Sequence, residues 1–169
     1  NIVFPEDMMV TFDDLRKIFL LENLTDTMLG KMLPFAEMRL FSDGSKIFRQ
    51  GEKAEFFFML MKGKIVLEMQ VSERINVSLG SIKTGGSLGW SAILGDPAYT
   101  SDAVCVEPCE IMAIQGEKFR ELMGRDHDMR YGVMKIVVGI LKRRLERRTD
   151  QFLKVIENHP DLQRLFQSD

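Results

Sequence analysis

The spacing of apolar positions changes twice along the chain. Between Thr11 and Leu33 it is helical, with Leu15, Ile18 and Phe19 in one group and Met28, Leu29, Met32 and Leu33 in another. Thr11 with Asp14 three residues on, and Thr25 with Asp26, supply capping signals for two helices. The second stops before Pro34, whose ring disfavours helical backbone at the residue before it. From Met38 the period falls to two. "MRLF", "KIFRQ", "EFFFMLM", "KIVLEMQVS", "INVSLGSI", "DAVCVEP" and "EIMAIQ" are short and rich in β-branched and aromatic residues, with Gly44, Gly51, Gly63 and Gly80 between them. In "KIVLEMQVS", Ile65, Leu67, Met69 and Val71 alternate with other residues, which predicts one buried and one wet face. Such a series predicts an antiparallel roll.

Helical spacing returns in "GEKFRELMGRD" and then runs unbroken from His127 to Asn158. About 30 residues at about 1.5 Å each make a helix of roughly 45 Å, long for a domain of this size. Tyr131, Met134, Val138, Leu141, Leu145, Arg148, Phe152 and Val155 follow alternating steps of three and four, a heptad seam with one arginine in it. A second stripe, Val133, Ile136, Val137 and Ile140, accompanies only the first half. Two stripes call for two packing partners, here the roll and a second copy of the helix. Met134, Val138, Leu141, Leu145 and Phe152 are the expected dimer contacts. Gly132 and Gly139, seven apart, mark points of close approach. After Pro160, "DLQRLFQS" has room for one short turn or helix and not for a helix-turn-helix.

Composition narrows the chemistry. The 169 residues are 45% hydrophobic and 28% charged, enough for one globular domain with a core and a long extra element. A net charge of -2 gives no general attraction to nucleic acid or anionic membrane, and no apolar run approaches the ~20 residues that span a bilayer. "NIVFPEDMMV" lacks the blocks of a secretory signal, and without an initiator Met the chain reads as trimmed. The two cysteines, Cys105 and Cys109, are too few for a disulfide framework or a four-thiolate metal site and read as reduced, partly buried thiols. The two histidines, His127 and His159, lie outside the strands, which disfavours a metal-dependent β-barrel enzyme. No catalytic triad, Walker loop or zincin helix is present, so neither catalytic nor metal residues are expected. The basic run "LKRRLERR" reads as a solvated helix face.

The stretch "TGGSLGWSAILGDPAYTSDA" looks built for an anion, since a Gly-rich loop that opens a helix offers backbone N–H groups. Yet no Lys or Arg lies between Thr84 and Ala103. Together with "FSDGSKIFRQGEKAEFFFMLMKGKIVL", "IFLLENLTDTML" and "DAVCVEPCEIMAI", its "GGSLGW" resembles the cyclic-nucleotide-binding domain family over roughly Phe12 to Asn158. The resemblance implies an α+β fold, with a jelly-roll-like β-roll flanked by N-terminal helices and a long C-terminal dimerisation helix. Residues 1–126 would be the roll with its helices, and residues 127–169 the long helix and a short tail without a helix-turn-helix.

In that family the cyclic phosphate lies on the loop's N–H groups and a nearby hydroxyl, an arginine neutralises it, and a glutamate after the last loop glycine holds the ribose. Carried over by position, the ligand site would comprise Gly86, Ser87, Leu88, Gly89, Trp90, Ser91, Thr100 and Ser101, with Trp90 at the glutamate's place and Thr100 at the arginine's. The implied protein is a cytoplasmic, non-catalytic ligand sensor that forms a homodimer and has no cofactor. Its ligand would be a cyclic nucleotide or a related small molecule bound weakly or with altered specificity, and it would bind no nucleic acid by itself and no membrane. Two alternatives remain: a dimeric scaffold that has lost its ligand, and the sensor part of a larger transcription regulator.

Overall fold

The computed structural model describes residues 9–73 and 75–161. Most of the N-terminal decapeptide and nearly all of the tail after Pro160 lie outside the described residues, and with them the expectations placed there. By its contacts the chain divides into two compact units, Asn1–Val133 and Met134–Asp169.

The first unit opens with α1 (Phe12–Arg16) and α2 (Asp26–Met32), both capped as the sequence predicts. Thr11 Oγ1 accepts the Asp14 N–H at 3.2 Å while Asp14 Oδ2 accepts the Thr11 N–H at 3.1 Å. Thr25 Oγ1 accepts the Met28 N–H at 3.3 Å. Tight 3₁₀ turns at Phe19–Leu21 and Leu33–Phe35 follow the two helices, the latter carrying Pro34.

Eight strands form two four-stranded antiparallel sheets. In the first, β1 (Ala36–Phe41), β8 (Cys109–Gln115), β3 (Phe56–Lys62) and β6 (Ser87–Leu88) lie in that order. In the second the order is β2 (Lys46–Phe48), β7 (Asp102–Cys105), β4 (Lys64–Ser72) and β5 (Ile75–Lys83). The first sheet's register sets two faces, since alternate residues point opposite ways. Phe58 stands opposite Leu88 and Ala113, Leu60 opposite Ile111, and Ile111 opposite Arg39. Phe58, Leu60, Leu88, Ile111 and Ala113 join Phe48, Ile65, Ile82, Tyr99, Ala103, Cys105 and Cys109 in the core between the sheets. Phe57, Met59, Met112 and Ile114, the alternate residues, are buried on the outer face. Contacts there run from α3 (Trp90–Leu94) to β3 and from α4 (Gly116–Arg125) to β8, α3 and α2.

In β4 the predicted alternation holds only at the start. Ile65 is fully buried and Leu67 packs on the core, but Val71 is 64% exposed. The reason is pairing: β7 covers β4 only from Ile65 to Glu68, and beyond that the β4–β5 ribbon runs on without it. Cys105 and Cys109 are buried rather than partly buried, and both are free thiols. Burial, with the hydrogen-bonded Cys109 thiol, pushes the Cys105 pKa up to about 12. α5 (His127–Glu157) begins in the first unit, where Asp126 Oδ1 accepts the Met129 N–H at 2.9 Å. Gly132 does mark a close approach, since a Cβ there would lie 3.1 Å from Leu24 Cδ2, whereas the nearest such neighbour of Gly139 is Arg143 of its own helix.

On the outer face of β7, Asp102 joins two strands. It pairs with Lys46 of β2, and its Oδ1 accepts the Gln50 N–H at 2.7 Å. The Lys46 bond, then the Gln50 bond, lower its pKa below the ordinary 3.8. A carboxylate depressed in the folded state stabilises the fold above its unfolded pKa and ceases to do so as pH falls through the lower folded value. Asp102→Asn should therefore cost about 0.5–1.5 kcal/mol at pH 7 in urea unfolding, with the gap to the unaltered protein closing below roughly pH 4. An equal gap at pH 7 and at roughly pH 3 would contradict this assignment.

Candidate ligand site in the roll

The Gly-rich loop is shaped by packing at each glycine. Gly85 has φ +84°, and a Cβ there would strike the Phe19 ring at 2.9 Å. Its carbonyl accepts the Phe19 N–H at 3.0 Å and its N–H donates to the Leu60 carbonyl at 2.8 Å. A Cβ at Gly86 would meet Ile82 Cγ2 at 2.8 Å and the Lys83 carbonyl oxygen at 2.9 Å. At Gly89, φ is +78° and a Cβ would lie 2.9 Å from the Phe56 carbonyl oxygen and 3.5 Å from Tyr99 Cε1. The left-handed backbone at Gly85 and Gly89 favours glycine, and the contacts at all three glycines leave no space for a side chain. The loop thus docks the N-terminal turn and β3 whether or not it holds an anion.

The predicted site residues divide between two faces. Leu88 faces the roll interior, whereas Ser87, opposite Met59, faces the helices. Ser91 is buried in α3, and its carbonyl accepts from Gly95 and Asp96 at 3.0 and 2.9 Å, ending the helix. Trp90 packs on the outer side of the first sheet. Its ring meets Phe57 edge-on with centroids 5.3 Å apart, and Phe57 in turn lies 5.8 Å from Phe119 of α4. The alternation of β3 sets Phe57 opposite to Phe56 and Phe58, so Trp90 belongs to the outer layer. Its Nε1 is buried without a hydrogen-bond acceptor among the described residues.

Thr100 and its neighbour Tyr99 point opposite ways. From Tyr99 to Cys105 burial alternates: Tyr99, Ser101, Ala103 and Cys105 are buried, and Thr100 is exposed. Thr100 therefore lies at the surface, and Tyr99 is the side chain that enters the roll beside the loop. It is only 6% exposed and stacks on Phe48 with centroids 3.9 Å apart. Its hydroxyl donates to the Phe56 carbonyl at 2.6 Å and accepts the Phe56 N–H at 3.0 Å. The cause is local: β6 stops at Leu88, opposite Phe58, where the chain turns into α3, and the start of β3 at Phe56 is without that neighbour. The Tyr99 hydroxyl takes the place of a strand. Burial raises its pKa, against the smaller lowering effect of the Phe56 backbone bonds, so the group is neutral.

A cation does face the roll, from an element that the loop-centred sequence reading left out. Arg39 of β1 shares the inner face with Phe41 and lies over the Phe56 ring, 4.0 Å from its centroid, and 5.9 Å from that of Phe58. Glu37 engages it through Nε at 2.7 Å and through a second guanidinium nitrogen. Parity within "MRLF" offered a signal, since Arg39 and Phe41 are two apart. Among the described residues no cluster of metal-ligating side chains occurs and no helix is long and apolar enough to cross a membrane.

In the second unit Met134 is partly buried, while Val138, Leu141 and Leu145 are 65%, 52% and 67% exposed on one stripe of α5. Phe152 lies on the same heptad seam, a turn beyond Arg148.

The sequence profile of the family described as "Cyclic nucleotide-binding domain" matches residues 38–126. The cGMP-dependent protein kinase egl-4 of Caenorhabditis briggsae is 28% identical over 112 residues, 65% of this chain and 15% of the kinase. The chain thus spans about one seventh of that relative's length. The Catabolite Activator Protein of Thermus thermophilus superposes with a TM-score of 0.66 at 24% identity, covering 82% of this chain and 63% of that one. A cyclic nucleotide-binding domain from Methylobacillus flagellatus gives 0.74 at 9% identity, covering 85% and 83%. At these identities the two structures show likeness of fold.

Tyr99→Phe should keep the ring stacked on Phe48 and leave the Phe56 N–H and C=O without the hydroxyl. Stability in urea should fall by about 1–3 kcal/mol. An unchanged midpoint would mean that water satisfies the β3 edge equally well.

Proposed function

We propose that this chain, which belongs to the cyclic nucleotide-binding domain family, is a regulatory module whose roll no longer takes a cyclic phosphate in the family's manner. Domains of this type are regulatory in kinases and transcription regulators and are non-catalytic. One observation carries the proposal: Tyr99, neutral and bonded to β3, fills the space beside Gly89 where a cation would be needed. A charge-assisted hydrogen bond is worth about 1.5–3 kcal/mol, or roughly 10–100-fold in affinity. Without one at the phosphate, and with Trp90 turned to the outer layer, cyclic nucleotides bind poorly and specificity passes to other groups. Residues 1–126 form the ligand domain and residues 127–169 the output arm, working as a homodimer in the cytoplasm, where Cys105 and Cys109 remain thiols. A ligand acts by favouring one arrangement of the arm over another, which the dimer reads.

Calorimetry of the unaltered protein should show cyclic AMP and cyclic GMP binding weaker than roughly 100 µM. Tyr99→Arg, checked for folding by circular dichroism, should bind cyclic AMP at least about tenfold more tightly, and Thr100→Arg should not. Low-micromolar binding by the unaltered protein would defeat the proposal.

The α5 seam supplies the dimer contact. Val138, Leu141 and Leu145 line an open groove of about 600 Å³ whose other walls are Lys142, Arg144 and Arg148. Burial and the neighbouring Arg147 and Arg148 charges lower the Arg144 pKa. In the dimer, Glu146, which also pairs with Lys142, or Asp150 of the mate answers Arg148 at the seam, or that arginine exits to solvent where the helices splay. Each apolar seam residue covered contributes about 1.5–3 kcal/mol before entropy is subtracted. Leu141→Asp or Leu145→Asp should give a monomer in light scattering behind a sizing column. A monomeric mass for the unaltered protein at tens of micromolar would refute the dimer.

A further inference from the structure

We propose that the cleft at the open end of the roll, between the Leu33–Phe35 turn and the start of α4, binds a small aromatic carboxylate. Pro34, Phe35, Glu37, Phe56, Gln115 and Lys118 line it, and its volume is about 230 Å³. The sheet register brings them together: Phe56 stands opposite Gln115 at the end of the first sheet, and Glu37 opposite Ala113 two residues away. Sites for drug-sized ligands occupy about 300–1,000 Å³, so this cleft suits a single ring with one polar substituent and is small for a whole nucleotide.

The lining selects the chemistry. Phe35 is exposed and Phe56 partly so, which offers two aromatic walls to a flat ring. The Arg39 guanidinium lies over the Phe56 ring, 4.0 Å from its centroid, a cation–π contact that helps to fix its orientation before any ligand arrives. The Lys118 ammonium contacts only Glu121 among the described acids, at 3.3 and 3.5 Å on the same exposed helix face. A pair of that kind is weak, so Lys118 can turn to a carboxylate in the cleft. The Gln115 amide adds a donor and an acceptor. The Glu37 carboxylate is engaged twice by Arg39, which mutes its repulsion of an anion. Among the described residues Lys118 is the one cation in the lining, which suits a monoanion. A phosphate dianion would need a second free cation, and Arg39 is already engaged.

The inference rests on the preceding proposal in one respect, that the roll is not already committed to a cyclic nucleotide reaching this mouth. Benzoate is the probe, followed by saturation-transfer NMR and by chemical-shift titration of the full chain. Expected is saturable binding below roughly 10 mM, with benzyl alcohol and inorganic phosphate each at least about fivefold weaker. Lys118→Gln, a surface change, should weaken benzoate about five- to tenfold, and Phe56→Leu should weaken benzoate and benzyl alcohol alike. Should Phe56→Leu fail to fold, Lys118→Gln and the benzyl alcohol comparison still decide. No saturable benzoate signal, or benzoate binding that Lys118→Gln leaves unchanged, overturns the site. Cyclic AMP titrated alongside separates the two ideas: tight binding there overturns the preceding proposal, while failure of benzoate alone overturns only this one.

Discussion

The short reach of β6 leaves the β3 edge uncovered at Phe56, and the Tyr99 hydroxyl satisfies both backbone groups at that place. A part-buried strand edge must find donors and acceptors, because an unsatisfied buried amide costs about 1–3 kcal/mol. Here one phenol serves as donor and acceptor together, which no guanidinium can do, since arginine only donates. The same geometry fixes the Tyr99 ring against Phe48 and against the backbone of Gly89. On the proposed reading, closing the edge and holding a cyclic phosphate are competing uses of one position.

Packing accounts for the loop's glycines beside a neutral lining. Gly85, Gly86 and Gly89 have steric reasons to be glycine in Phe19, Ile82 with the Lys83 backbone, and the Phe56 carbonyl. The backbone shape that could hold an anion is the shape that docks the N-terminal turn and β3, so packing alone is reason enough for these glycines. Trp90 follows the same logic. An acid at that place has little to gain beside Phe57 and Phe119, whereas an indole adds aromatic area to a packed layer, at the expense of one unpaired N–H. Charge at the roll comes instead from β1, where Arg39 stacks on Phe56 and is balanced by Glu37.

Most of the fold was legible because it follows from local rules. Thr11 with Asp14, and Thr25, cap helices through bonds spanning three residues, so a linear reading finds them. "KIVLEMQVS" runs as strand from Lys64 to Ser72 as drawn from its pattern, and Gly44, Gly51 and Gly63 take positive φ at the turns they punctuate, whereas Gly80 takes its positive φ inside β5, opposite Leu67 where the β4–β5 register shifts. The 31-residue α5 likewise follows from its period. What escaped were facts of pairing. That Val71 and Ile75 are exposed depends on where β7 ends against β4, and nothing within "KIVLEMQVS" carries that length.

The sequence by itself determined the order of elements, the roll, the long helix and the missing charge in the loop, because each is set by residue type and period along the chain. Only the tertiary structure decided which neighbour, Tyr99 or Thr100, enters the roll, because a one-residue shift in an extended segment reverses every side chain. It also decided that Trp90 faces outward and that Arg39, some 50 residues earlier in the chain, lies over Phe56. Those outcomes depend on strand register and on which edge is left uncovered, and register joins residues that are distant in sequence.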